Sequence, residues 1–294
     1  MSGAAAGGAG PDGAGSAALA TLVRLALEED VGTGDVTTMA TVPPDATGSA
    51  VVVAKENLVV AGLAAAEAAF HACDPTLRLE YAAKDGDRLD AGQRVLRVSG
   101  GLAAILTAER TALNFLGRLC GVATLSRRFA DAVQGTSARI LDTRKTTPGW
   151  RQLEKEAVRA GGAFNHRMGL FDYVLIKDNH IAAAGGITAA VERVRAVSGA
   201  RLPMEVEVTS VDELTEALTL GVERILLDNM SLGSMQEAVR RTALLGAGRP
   251  ELEASGNMTL ERVRAVAETG VDWISVGALT HSARSADLSL GLEG

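Results

Sequence analysis

The sequence predicts an α/β protein in two parts, a smaller N-terminal α+β sandwich-like layer followed by a barrel of about seven parallel strands. Three observations predict it. From Arg139 onward, short apolar runs (139–141, 173–176, 204–208, 224–227, 251–254, 273–276) alternate with helical periods (151–160, 187–197, 211–219, 233–244, 259–269), with a further short strand near Ala163-Phe164. Repeated β-then-α order implies a parallel sheet, and this many units suggests closure. Before Arg139 the alternation is missing, and β-branched runs mix with a few helices, as in an α+β layer. Finally, several of the later apolar runs end at once in clustered charges, the pattern of parallel strands whose C-terminal ends carry a site.

Taken in order, residues 1–16 are rich in Gly and Ala, with no basic start and no bulky apolar centre. They are expected to form a disordered leader rather than a signal peptide. Ala18–Glu29 places Leu19, Leu22, Val23 and Leu27 at helical spacing, with Ser16 available as a cap. After the turn-rich Asp30–Asp35, the runs 50–54 and 58–60 read as strands and Leu63–His71 as an Ala-rich helix. Strands follow at 77–82 and 94–98, parted by Lys84-Asp85-Gly86-Asp87. Leu102–Leu119 is a helix with Ile105, Leu106, Leu113 and Leu116 along a stripe and Arg110 and Asn114 on another face. The expected division is therefore leader 1–16, α+β domain 17–122, barrel 123–280, and a C-terminal segment 281–294 returning to the first domain. Gly185-Gly186, Gly221 and Gly270 punctuate helix ends and loops in the barrel part.

Composition narrows the classes of function. With 294 residues, 47% hydrophobic and 22% charged, the chain can bury one large or two modest cores. A net charge of -7 argues against a nucleic-acid partner. No apolar run approaches a membrane span. Two cysteines, Cys73 and Cys120, form neither a disulfide framework nor a metal-spaced pair; they are expected to be small buried hydrophobes in a reducing cytoplasm.

The strand ends carry the chemistry. Arg144 and Lys145 follow the first strand, His166 and Arg167 the short one, and Lys177 the next. On neighbouring strands these groups converge on one mouth, suited to a small ligand with more than one carboxylate or phosphate. Glu205 and Glu207 alternate on one strand and share a face, and Asp228 ends the next. The last two strand ends, Ser255-Gly256-Asn257 and Gly277-Ala278, are small and polar, so backbone N–H groups can approach a phosphate, helped by the helix start at Thr259. No Ser/His/Asp or Cys/His constellation is recognisable.

The strings DTRKTTPG (142–149), GGAFNHRMGL (161–170) and LIKDNHI (175–181) resemble quinolinate phosphoribosyltransferases. The likeness continues through EVEV, ILLDNM, EASGNMT and VGALTH in the family's order and covers nearly everything after about Ala17. The resemblance implies an incomplete barrel preceded by a sandwich domain, and a reaction that joins quinolinate to phosphoribosyl pyrophosphate, releasing pyrophosphate and carbon dioxide on the way to NAD. It implies that Arg144, His166 and Arg167 bind quinolinate together with Arg110, donated across a homodimer interface. Lys145, Lys177, Glu207 and Asp228 would be catalytic and bind phosphoribosyl pyrophosphate, with Mg²⁺ carried by that substrate and held by Glu207 and Asp228. Ser255, Gly256, Asn257, Gly277, Ala278 and His281 would form the phosphate end. Asn257 stands where many family members carry a second glycine. A phosphoribosyltransferase for nicotinate, a sugar-phosphate lyase or isomerase, and a non-catalytic binding protein are the alternatives; four cationic or imidazole groups favour a dicarboxylate over a monocarboxylate.

Overall fold

The computed structural model describes residues 12–198 and 202–293, with side chains from 17 onward except at 198. It divides into two compact units, one formed by the chain up to Gly121 and again from Arg284, the other by Val122–Ala283.

In the first unit, helix α1 spans Asp12–Val31 and α2 Val36–Thr41. The expected cap at Ser16 is not used. The helix starts at Asp12, so 12–16 are helical rather than part of a leader; the rest of that expected leader lies outside the described residues. Strand β1 (Thr47–Ala54), β2 (Leu58–Val59), helix α3 (Leu63–Cys73), β3 (Arg78–Tyr81), β4 (Arg88–Leu89) and β5 (Arg94–Gly101) follow. β1, β5 and β3 are antiparallel neighbours, and β2 pairs separately with β4. Ala50, Val52, Val95, Leu96 and Val98 are buried with Ala66, Ala69 and Phe70 of α3, which makes the apolar core of this unit. Cys120 is buried here, as expected, but Cys73 is only half-buried at the end of α3.

Helix α4 runs Leu102–Ala132, well past the expected end at Leu119. Gly121 looked like a stop, but its reason is proximity: a Cβ there would lie 1.9 Å from the carbonyl oxygen of Arg284. Glycine allows that approach and the helix continues.

The second unit alternates as the sequence predicts: β6 (Arg139–Leu141), α5 (Arg151–Ala160), β7 (Val174–Ile176), α6 (Asp178–Ala184), α7 (Ile187–Ser198), β8 (Met204–Val208), α8 (Val211–Leu218), β9 (Arg224–Asp228), α9 (Leu232–Ala243), β10 (Glu251–Ser255), α10 (Leu260–Ala267), β11 (Trp273–Ser275) and α11 (Ala278–His281). The strands form one parallel sheet in the order β6-β11-β10-β9-β8-β7. The seventh strand expected near Ala163-Phe164 is a single parallel bridge, Leu141 to Phe164. Among the described residues no ladder joins that bridge to β7, so the barrel is incomplete there. β8 is buried along its whole length, as befits a strand covered on both faces. Strand β12 (Leu288–Leu292) belongs to the first unit and pairs antiparallel with β1, from Ala50 with Leu292 to Ala54 with Leu288. Among the described residues, no helix is long and apolar enough to cross a membrane.

Candidate active site

Parallel strands in one sheet point their C-terminal ends the same way, so the segments after β6 to β11 meet at one mouth. A cavity of about 890 Å³ opens there. Arg144 and Lys145 after β6, His166 and Arg167 after the Phe164 bridge, and Lys177 after β7 line it. Asp228, Ser255, Gly256, Asn257, Gly277, Ala278 and His281 line the opposite part. Glu207 is buried behind this surface and accepts a hydrogen bond from Lys177 Nζ at 3.0 Å. Arg110 is exposed on α4 in the first unit and is not among the lining residues.

Among the described residues, Arg144, Lys145 and Arg167 have no carboxylate within ion-pair distance. Lys177, by contrast, is paired with Glu207. Partial burial, with the Arg144 charge adding to it, pulls the pKa of Arg167 below its ordinary value, while Arg167 Nη1 donates to the Tyr173 carbonyl at 3.1 Å. Cations gathered in one concave space without counter-charges form a field that draws small anions.

His166 is placed differently from the expectation of a free ligand to a carboxylate. Its side chain is only 7% exposed. Nδ1 accepts the backbone N–H of Arg167 at 2.7 Å. The ring proton therefore sits on Nε2, aimed at Glu205 Oε2 at 3.0 Å, with Glu253 Oε2 at 3.5 Å. Burial lowers the His166 pKa, so the ring is neutral. Glu253 also accepts from Arg224 Nη1 at 3.1 Å and from the Ser275 hydroxyl. The guanidinium of Arg224 stacks 4.9 Å from the Trp273 ring centre. Burial pushes the carboxyls of Glu205 and Glu253 up to about 7, and Glu205 Oε1 is buried with no hydrogen-bond partner. His166, Glu205 and Glu253 lie close enough together to suggest a metal centre. The donor set does not fit one: Nε2 carries the proton, and Arg224 already supplies the positive charge. The cluster is a hydrogen-bonded floor under the cavity.

The phosphate end is built on backbone conformation. Asn229 and Asn257 have φ of 52° and 48°, in the left-handed region that Asn tolerates better than other side chains. Asn257 thus takes the conformation a glycine would have supplied. Its Nδ2 donates to Asn229 Oδ1 at 3.3 Å, and Asn229 Nδ2 donates to Asp228 Oδ2 at 2.8 Å. Arg262 ties the two loops from below, donating to the carbonyls of Gly256 and Met230, each at 3.2 Å. Thr259 caps α10, its side chain accepting from Arg262 N.

Sequence reasoning did not single out Glu253, Asn229 or Ser275. Glu253 had a signal, since it stands inside an apolar run at a strand end, as Glu205 does. Ser275 and Asn229 had none; their importance comes from what surrounds them.

Residues 122–291 match the family model for the quinolinate phosphoribosyl transferase C-terminal domain, and 35–120 match its N-terminal domain. The chain belongs to this family. Among relatives of the quinolinate phosphoribosyltransferases, it is 46% identical over 290 residues to a chloroplastic nicotinate-nucleotide pyrophosphorylase [carboxylating] of Arabidopsis thaliana, covering 94% of this chain and 83% of that one. The corresponding protein of Mycobacterium leprae is 45% identical over 276 residues, covering 92% and 95%. The solved nicotinate-nucleotide pyrophosphorylase of Francisella tularensis superposes with a TM-score of 0.89 at 38% identity, covering 94% of this chain and 96% of that chain.

Proposed function

We propose that this protein is a decarboxylating quinolinate phosphoribosyltransferase, converting quinolinate and phosphoribosyl pyrophosphate to nicotinate mononucleotide, pyrophosphate and carbon dioxide. The observation that carries the reading is the set of cations left without counter-charges, Arg144, Lys145 and Arg167, in one cavity. Quinolinate has two adjacent carboxylates. Arg144 and Arg167 can each take one, at roughly 1.5–3 kcal/mol per charge-assisted hydrogen bond, and several such bonds suffice for micromolar affinity. His166 serves this grip indirectly, by receiving the Arg167 amide and closing the floor. Lys145 and Lys177 face the departing pyrophosphate, and the loops at Ser255–Asn257 and Gly277–Ala278, with His281, take the 5′-phosphate.

As pyrophosphate leaves, the ribose centre gains positive charge, which Glu207 and Asp228 stabilise through the hydroxyls or directly. The ring nitrogen, once ribosylated, is cationic and accepts the electron pair left by the departing carboxylate. No nucleophile is required, so catalysis is positioning plus fixed charge. Magnesium bound with the pyrophosphate would offset its charge. Glu207 and Asp228, hard oxygen donors on adjacent strands, are the residues to hold it, in keeping with the one or two carboxylates that magnesium usually takes beside substrate phosphates. We further propose a homodimer in which the exposed Arg110 of each copy completes the other's quinolinate site. Its soluble anionic substrates and two free cysteines suit the cytoplasm.

The test is turnover with phosphoribosyl pyrophosphate and magnesium, quinolinate against nicotinate, with carbon dioxide release followed. Quinolinate is expected to be consumed with one carbon dioxide released per nucleotide formed. A folded protein that ribosylates nicotinate and ignores quinolinate refutes the assignment.

A further inference from the structure

Helix α5 opens with three charged residues, Arg151, Glu154 and Lys155, spaced so that they share one face. Charges on a surface helix normally look outward. Here Glu154 and Lys155 are fully buried, at 0% exposure, and Arg151 is half-buried. Their partners are the two segments that carry the free cations. Glu154 accepts the Thr147 N–H at 3.0 Å and its hydroxyl at 2.8 Å. Arg151 donates from Nε to Thr146 Oγ1 at 3.0 Å and from Nη1 to the Met168 carbonyl at 3.1 Å, linking both segments. Lys155 Nζ lies 2.5 Å from Asp142 Oδ1 and 3.0 Å from the His166 carbonyl. Asp142 in turn accepts the His166 N–H at 2.8 Å and, on Oδ2, Asn165 Nδ2 at 2.6 Å.

Every one of these bonds ends beside Arg144 or Arg167 in the chain. The segment after Phe164 has only a single bridge to the sheet, so side chains must hold it. Burying an ammonium and a carboxylate carries a large desolvation penalty, and apolar side chains of similar size would pack as well. A role in packing alone does not account for charges at these positions.

We propose that the Arg151–Glu154–Lys155 face, with Asp142, is a positioning device that sets Arg144 and Arg167 at the separation needed by two adjacent carboxylates. This rests on the reading of those two arginines as the quinolinate grip. Lys145 is held from the other side, its carbonyl accepting Thr280 Oγ1 at 2.8 Å and its N–H donating to Thr143 Oγ1 at 3.0 Å. Binding of the second substrate is therefore insulated from α5.

Two variants test it: Arg151→Leu, and the pair Asp142→Asn with Lys155→Met, which removes both charges instead of stranding one. Thermal melts and steady-state kinetics with each substrate varied in turn are the measurements. The KM for quinolinate is expected to rise at least about tenfold, with the KM for phosphoribosyl pyrophosphate within about twofold and kcat within about threefold of wild type. A parallel rise in both KM values, or no change in either folded variant, overturns the inference. Should the double variant not fold, Arg151→Leu, at a half-buried site, decides alone. Arg144→Ala serves as the control, expected to lower kcat/KM for quinolinate by at least about a hundredfold. Near-normal turnover by folded Arg144→Ala would instead remove the underlying reading of the grip.

Discussion

Replacing Gly256 with alanine strikes the phosphate end through a single atom. The added Cβ would lie 2.1 Å from Asn229 Oδ1 and 2.5 Å from its Cγ, more than an ångström inside contact distance. Gly256 also has φ of 95°, and a side chain there costs roughly 1–2 kcal/mol in backbone energy alone. The Asn229 amide must rotate away. It then loses its bond to Asn257, about 1 kcal/mol, and its bond to the Asp228 carboxylate, about 1.5–3 kcal/mol. The first of these terms falls on stability, and the last on the orientation of Asp228 toward the ribose. The expected result is a ten- to hundredfold fall, roughly, in kcat/KM for phosphoribosyl pyrophosphate, with quinolinate affinity unchanged by isothermal titration. Adding Asn229→Gly, which suits the local φ of 52° and removes the obstructing amide, should recover melting temperature without recovering activity. A folded Gly256→Ala enzyme whose kcat/KM for that substrate stays within about twofold of wild type would refute the reasoning.

Two other outcomes follow from the site. Arg110→Ala and Arg144→Ala, each inactive alone, should regain about a quarter of wild-type activity when mixed as refolded dimers, because one hybrid site is intact; no recovery, with hybrids demonstrated, would place Arg110 in its own subunit's site or in none. The Glu205 and Glu253 carboxyls, raised by burial to about 7, keep protons that the unfolded chain gives up near 4.5. Their contribution to stability is whole below about pH 4.5 and is lost as pH rises toward 7, at on the order of 1 kcal/mol per pH unit for each proton retained. Denaturant melts of Glu253→Gln against wild type across that range should show a shallower decline; an identical slope would mean the pair is ionised throughout.

Much of the barrel could be read before any coordinates because its elements are punctuated locally. β6, β8 and α5 fall at the residues expected, since each apolar run stops at a charge or a glycine. α4 was shortened in that reading because Gly121 resembles a terminator unless the Arg284 backbone beside it is known. Strand β4, two residues long, carries no periodicity to detect. At the site, Arg144, Lys145, Arg167 and Lys177 were legible as charges following apolar runs. The state of His166 was not, because it depends on Glu205, Glu253 and a neighbouring amide brought together from separate strands. The buried face of α5 was hidden for the same reason, as its charges read like those of any solvated helix.

The sheet order has a bearing on how the chain is made. β6 finds its lateral partner in β11, Arg139 opposite Trp273, although β11 is among the last elements to leave the ribosome. β1 likewise waits for β12. Until translation nears its end, both early strands keep an open hydrogen-bonding edge in an otherwise apolar setting, the condition under which nascent chains stick to one another. Completion of the fold is thus post-translational, and the burden of shielding those edges falls on chaperones during synthesis.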